Sequence, residues 1–538
     1  MKIKGILVDI HKKETYPASF NISRGRIKGI RKEEHTEKVM LIPGLIDAHI
    51  HIESSMLTPG FFAMAAVSRG TTAVISDPHE IANVLGYKGI MYMIKDGRRT
   101  PLKFYFGAPS CVPATNQETS GANIGANEIK RLLRRNDILY LAEMMNYPGV
   151  IYGDKEVLEK IQIAKKAGKR IDGHAPGLRG EMLKKYIAVG ISTDHECSTL
   201  DEAKEKAENG MKILIREGSA ARNLDAIKEM IRTDPEKVML CSDDLHPEML
   251  KKRHLDQLIA GLIKQGFDKY DVLRSVSLNP VKHYGINSGL LREGDPADFV
   301  IVDDIETMNV LETWIDGKKV YDRGKILFKY RLGRKINIFN SSLLNEENIK
   351  VKNSRSRMRI IEAFDGELLT RQQIADTKQE EYINADTEGD ILKIVVKDRY
   401  RNGPPAVAFI KGFGLKKGAF AGSVAHDSHN IICVGTNDYD ITKAINEIIR
   451  LKGGLAVVNG SIVESLQLPV AGIMSDKPLE DTARDYEHLS ARVKEMGCTM
   501  SAPFMTLSFM ALLVIPELKL SDKGLFNGKE FNLVPLFC

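Results

Sequence analysis

The chain has 538 residues, too many for a single hydrophobic core, so two to four domains are expected. Its 77 basic and 71 acidic residues leave a net charge of +6, too small an excess to form an electrostatic footprint for nucleic acid. Six scattered cysteines with no C-x-x-C pair exclude a disulfide framework and a cysteine zinc site. The opening MKIKGILVDIHKKE is too charged for a signal peptide, and the longest apolar stretch, FMALLVI from Phe509, is too short to span a bilayer. The expectation is a cytoplasmic protein with no membrane partner.

Residues 1–45 alternate apolar and polar, as in KIKGILVDI and FNISRGRIKGI, and predict short antiparallel strands with glycine turns. From Leu45 the texture changes. The predicted strands are LIDAHIHI, TTAVISD, KFYFGAP, ILYLAEMM, KRIDGHA, GISTDHE, MKILIREG and KVMLCSDD, most of them separated by charged amphipathic helices such as DKEVLEKIQIAKKAG. Eight βα units in a row predict an α/β fold, a (β/α)8 barrel over 46–284 that closes on the helix KYDVLRSVSLNPVKHYG. Residues 285–335 return to short strands and are expected to join residues 1–45 in one small flanking β domain. The charged run NEENIKVKNSRSRMR marks a boundary, and 345–538 reads as a C-terminal α/β or α+β domain.

The first strand holds two histidines two residues apart. In a strand such residues project to the same face, so His49 and His51 can converge on one metal ion. Taken alone, the pair fits a half-polar edge strand about equally well. The other strand ends decide between the two. Strand 4 ends in Glu143, strand 5 in His174, strand 6 in His195 and strand 8 in Asp243. In this fold chemistry gathers at the C-terminal ends of the strands. Four imidazoles and two carboxylates at one mouth suit a pair of divalent first-row ions, with a carboxylate able to bridge them.

These residues resemble the amidohydrolase superfamily, a metal-binding barrel with H-x-H on strand 1, a ligand on strand 4, histidines on strands 5 and 6 and an aspartate on strand 8. PGLIDAHIH and GLLREGDPADFVIVD match the usual wording of that superfamily where the barrel begins and ends. Six longer stretches, DAHIHIESSM, SDPHEIANV, EMMNYPGV, DGHAPGL, DHECST and CSDDLHPE, together with AHDSHNI near the C-terminus, are similar to the bacterial-type branch that deaminates adenine. The resemblance covers nearly the whole chain. One departure from the wider superfamily is that Glu143 stands where a carboxylated lysine is common. The resemblance implies hydrolysis of adenine to hypoxanthine and ammonia in purine salvage. It also implies two divalent ions, manganese or iron first and zinc next, held by His49, His51, Glu143, His174, His195 and Asp243. A symmetric homo-oligomer is expected on general grounds. The alternative within the superfamily is a related aminopurine or a cyclic amide as substrate. The alternative outside it is a metal-free scaffold, against which stands the full ligand set.

In that chemistry Asp243 takes a proton from the attacking water and passes it to the leaving amine. Glu143 and Glu80 are both candidates to protonate a ring nitrogen. A tandem Asp-Asp at the same place in adenosine deaminase assigns Asp244 to the imidazole ring of the purine, with an N-cap of the next helix as the competing reading. Asp77, His79 and Glu80 crowd the loop after strand 2 and are expected to face substrate. The competing reading makes Asp77 or Glu80 a helix cap. The His426, Asp427 and His429 cluster either closes over the mouth or forms a solvated surface turn.

Overall fold

The computed structural model describes residues 1–538. The chain begins with β1 (Lys2–Asp9), β2 (Glu14–Ser23), β3 (Arg26–Lys32) and β4 (Met40–Pro43). β1, β2 and β3 pair antiparallel, and β4 pairs parallel with β1. Alternation of the kind in KIKGILVD places Ile3, Gly5 and Leu7 on one buried face of β1, while Val8 is buried on the other.

Eight parallel strands follow: β5 (Leu45–Ile50), β6 (Thr71–Ser76), β7 (Lys103–Ala108), β8 (Ile138–Met144), β9 (Arg170–Gly173), β10 (Thr193–Asp194), β11 (Lys212–Arg216) and β12 (Val238–Cys241). β5 to β9 form a five-stranded sheet and β10 to β12 a three-stranded one. These strands are short, rich in Val, Ile and Leu, and mostly buried on both faces, which is the sequence texture of parallel sheets covered by helices. The two sheets curl toward each other and meet through single bridges, Ile171 to Ile191 and Ile50 to Asp243. At the second, the Asp243 N–H donates to the His49 carbonyl at 3.0 Å, and the His51 N–H donates to the Asp243 carbonyl at 3.3 Å. Asp243 takes the left-handed conformation (φ 54°), which Asp tolerates better than most residues. Below this point the buried Asp47 carboxylate accepts from the Ser242 N–H at 3.0 Å and lies 2.8 Å from His254 Nε2. The end of the eighth strand is thereby fixed against the first, where His49 and His51 stand.

The connecting helices follow their caps. In Lys155–Lys166, Asp154 accepts from the Val157 N–H at 2.9 Å, and Val157, Ile161 and Ala164 face the sheet. The helix expected over KYDVLRSVSLNPVKHYG is two helices, Lys269–Ser275 and Leu278–Tyr284. Pro280 explains the break. In a continuous helix it would leave the Val276 carbonyl without its donor and clash with it. That carbonyl instead accepts from the Ile46 N–H at 2.7 Å.

β13 (Phe299–Val302), β14 (Val310–Ile315), β15 (Lys318–Asp322) and β16 (Lys325–Ile326) return to the first sheet, with β13 antiparallel to β4. One eight-stranded sheet therefore contains strands from both sides of the parallel segment. The remaining chain builds a second eight-stranded sheet between Arg357 and Gln467, covered by the helix Asp438–Leu451, and a small three-stranded sheet over 518–533. No helix is long and apolar enough to cross a membrane.

Candidate metal centre and cleft

The parallel strands bring their C-terminal ends to one buried place. His49 and His51 direct their Nε2 atoms inward, 3.2 Å apart. Asp243 Oδ1 lies 3.4 Å from His49 Nε2 and 3.2 Å from His51 Nε2. His51 is oriented from behind, with Nδ1 3.1 Å from the Asp77 carbonyl. A proton on Nδ1 leaves Nε2 free to ligate, the usual device for a metal-binding imidazole. Beside this group, His174 Nδ1 and His195 Nε2 approach Glu143 Oε2 at 2.6 and 3.3 Å. Glu143 Oε1 turns the other way, 3.2 Å from His51 Nε2. One carboxylate thus faces two clusters, one oxygen to each.

These separations bear on a bound cation. Ligand atoms at about 2.1 Å from a common ion lie roughly 3.0–3.4 Å from one another in octahedral or tetrahedral arrangements. The spacings within the His49, His51 and Asp243 group fall in that range. Closely spaced metal-type groups here include His49, His195 and Asp243; Glu143, His174 and His195; His51, Asp77, His79 and Glu143; and His51, Asp243 and Asp244. The His174 Nε2 atom is buried without a hydrogen-bond partner. The donor set fits divalent ions.

The charge balance is tight. Burial pushes the Glu143 carboxyl up, but His174 and His195 outweigh it and hold it well below the usual carboxylate range. Burial likewise opposes ionisation of Asp243, and Arg216, His49 and His51 overcome it. Arg216 Nη1 stands 2.7 Å from Asp243 Oδ2, and the same guanidinium pairs with Glu196, Nη2 to Oε2 at 3.0 Å. Asp244 goes the other way, raised by burial and by the neighbouring Asp243.

The cleft over this centre is lined by His51, Glu143, His174, His195, Asp243 and Asp244 from the parallel strands. His79 and Glu80 come from the first turn of the helix after β6, and Leu368, His426, Asp427, Phe509 and Leu512 come from the C-terminal segment. A helix does start in the loop after β6, with Glu80 in its first turn, but no side chain caps it or the helix after Asp244. The first, His79–Leu85, starts after Pro78, and the second, Pro247–Lys252, after His246. Glu80 instead forms close ion pairs with His426 Nδ1 and His429 Nε2, and Asp244 accepts from the Ser54 hydroxyl at 2.5 Å. Asp77 sits behind the cleft wall, its Oδ2 3.1 Å from His79 Nδ1. His426, Asp427 and His429 are buried, not a solvated turn. Arg216 and Glu196 stand inside MKILIREG and DHECST, yet reading strand ends for metal ligands passed over them. The same strand-end position that marks His195 and Asp243 would have found Arg216. Leu368, Phe509 and Leu512 carry no sequence signal, because apolar residues near a site look like apolar residues in a core.

Barrel-type strands with this histidine and carboxylate set define a class, and the chain belongs to the amidohydrolase family, whose model matches residues 40–320. The model of the adenine deaminase C-terminal domain matches residues 367–532. The chain is 48% identical over 551 residues to the adenine deaminase of Methanosarcina mazei, covering 100% of this chain and 99% of that protein. It is 51% identical over 535 residues to the adenine deaminase of a Sulfurovum species, covering 99% of both. The adenine deaminase of Borreliella burgdorferi is 44% identical over 542 residues, again covering 99% of both.

Proposed function

We propose that this chain hydrolyses adenine, with water, to hypoxanthine and ammonia. The observation that carries the reading is Glu143 set between two histidine clusters with one oxygen to each, in a chain that matches adenine deaminases from end to end. In this reading the two parallel sheets are one eight-stranded barrel with two seams. The chain divides into a β domain (1–45 with 285–335), the barrel (46–284) and a C-terminal domain (345–538).

His49, His51 and Asp243 would hold one divalent ion, His174 and His195 the other, and Glu143 both. Imidazole and carboxylate together suit manganese, iron or zinc, and we assign manganese or iron. Such ions supply a nucleophile at neutral pH and a positive field for the charge that develops during attack on C6. The protein's own groups do the rest. Asp243 lines the cleft with Oδ2 held by Arg216, so Oδ1 is aimed at the reacting centre, where it takes a proton from water and returns it to the departing amine. Glu143 and Glu80 both line the cleft and both are bonded to imidazoles; we take Glu80, which is not among the metal ligands, as the group beside the ring nitrogen next to C6, relaying to it a proton drawn from the attacking water. Asp244 faces the imidazole ring of the base. Phe509, Leu368 and Leu512 cover the mouth and keep water from the ring.

The test is ammonia release by metal-replete protein from adenine, adenosine, other aminopurines and cyclic amides. Adenine is expected to be turned over far faster than the rest. Turnover of adenosine without adenine, or of a cyclic amide alone, overturns the reading.

A further inference from the structure

The loop Ala425–Asn430 lies far along the chain from the parallel strands, yet His426 and Asp427 stand in the cleft wall, only 2% and 3% exposed. Each presents a polar atom that nothing in the protein satisfies. His426 Nε2 and Asp427 Oδ2 are both buried without a hydrogen-bond partner. An unpaired buried donor or acceptor costs about 1–3 kcal/mol, so two on successive residues of one cleft wall call for a ligand that pairs them. The rest of each side chain is anchored. His426 Nδ1 is held by Glu80, its ring lies 5.1 Å from that of Phe509 at 32°, and Asp427 Oδ1 is 3.8 Å from His79 Nε2. The His426 imidazole is raised to about 9, burial opposing its charge and Glu80 prevailing, so Nε2 carries a proton to donate.

We infer that this loop reads the purine edge remote from the amine, His426 donating to N3 and Asp427 accepting from N9–H, and so selects the free base over N9-substituted purines. The inference rests on the adenine-hydrolysing reading above. With C6 at the metal centre, N1 at Glu80 and the five-membered ring toward Asp244, the edge left over is N3 and N9–H, an acceptor beside a donor. His426 and Asp427 present the complementary donor and acceptor. Leu368, Phe509 and Leu512 beside them offer nothing to pair with the hydroxyls of a sugar.

The experiment compares adenine, 9-methyladenine and 3-deazaadenine on the full-length, metal-loaded protein. Asp427→Ala, Asp427→Asn and His426→Ala are compared with wild type, and metal content and circular dichroism are checked on each preparation. Wild type is expected to prefer adenine over 9-methyladenine by at least about 10³-fold in kcat/KM, since a site built to bond an N–H strongly rejects the analogue that lacks it. Asp427→Ala should lower adenine turnover about 10²-fold and bring that preference below about 10-fold. Asp427→Asn, which keeps an acceptor oxygen, should retain most of it. His426→Ala should erase the difference between adenine and 3-deazaadenine. Calorimetric binding of hypoxanthine against 9-methylhypoxanthine gives the same comparison without turnover. Folded, metal-loaded variants that keep wild-type discrimination overturn the inference. So does a third metal ion per chain that is lost in His426→Ala, which would assign the loop to a cation. Wild-type protein that is fully metal-loaded but releases no ammonia from adenine sinks the function itself, and that result is read before any variant is compared.

Discussion

Arg216 offers the sharpest test of how the centre is balanced. Its guanidinium is buried, with Nη1 2.7 Å from Asp243 Oδ2 and Nη2 3.0 Å from Glu196 Oε2. At an effective dielectric of about 20, one such contact is worth about 5–6 kcal/mol before desolvation is counted. Arg216→Met keeps much of the volume and leaves two carboxylates unpaired in the interior. Breaking a buried pair from one side costs about 3–5 kcal/mol, which for a chain of this size lowers Tm by about 3–4 °C. The measurement is scanning calorimetry of chelator-stripped protein, repeated after metal is restored. The metal-free variant should fall by the full amount, and the metal-loaded one by less, because bound cations supply the missing positive charge. Adding Glu196→Gln should recover part of the loss, since one of the two orphaned carboxylates is then neutral. A shift below about 2 °C in metal-free Arg216→Met, or no recovery in the double variant, would refute the account of Arg216 as the counter-charge.

The remaining expectations concern proton transfer, metal loading and pH. Asp243→Asn, compared with wild type on the same metal-analysed preparation, should keep metal and lose about 10²–10⁴-fold in kcat; full metal with a rate within a few-fold of wild type removes it from proton transfer. Glu143→Gln should fold, by circular dichroism, yet hold fewer than two metal ions by elemental analysis, since a neutral amide is a poor bridge between two cations; two ions per chain would refute the bridging role. Glu118 is buried and its carboxyl is raised to about 8 by burial and by Asp427, so its proton is held more tightly in the folded chain than in the unfolded one. Its stability contribution is therefore fully present below its unfolded pKa near 4.3 and is lost as pH rises to about 8. Glu118→Gln should raise Tm relative to wild type at pH 9 and much less at pH 5, and equal shifts at both would refute the assignment.

The strand order and the convergence of the strand-end histidines and carboxylates were legible in the sequence for one physical reason. A fully buried parallel strand has no use for a charged or imidazole side chain, so His49, His51, Glu143, His174, His195 and Asp243 stand out against their surroundings. The break in the last helix of that segment was written there too, in Pro280, but its consequence depends on which carbonyl it would strand, and only the structure places Val276 against Ile46. The cleft roof was not legible. The pairing of Glu80 with His426 joins residues more than three hundred positions apart, and no local pattern marks such a partner. Nor did the segment Asp77–Glu80 reveal its division of labour, with Asp77 holding imidazoles from behind and Glu80 reaching the cleft.

The antiparallel pairing of β4 with β13, Pro43 opposite Phe299, makes the catalytic segment a loop whose two ends are buttoned together. Bringing the ends of so long a stretch to one spot carries an entropic cost of about 5 kcal/mol, which the ladder between these strands must offset. The small sheet is in this sense the fastener of the parallel-stranded segment. Deleting residues 1–43 would remove none of the clustered histidines and carboxylates, yet it would release the far end of the segment at Phe299 as well as the near one, and the seam that aligns Asp243 with His49 and His51 would lose its anchor at both sides.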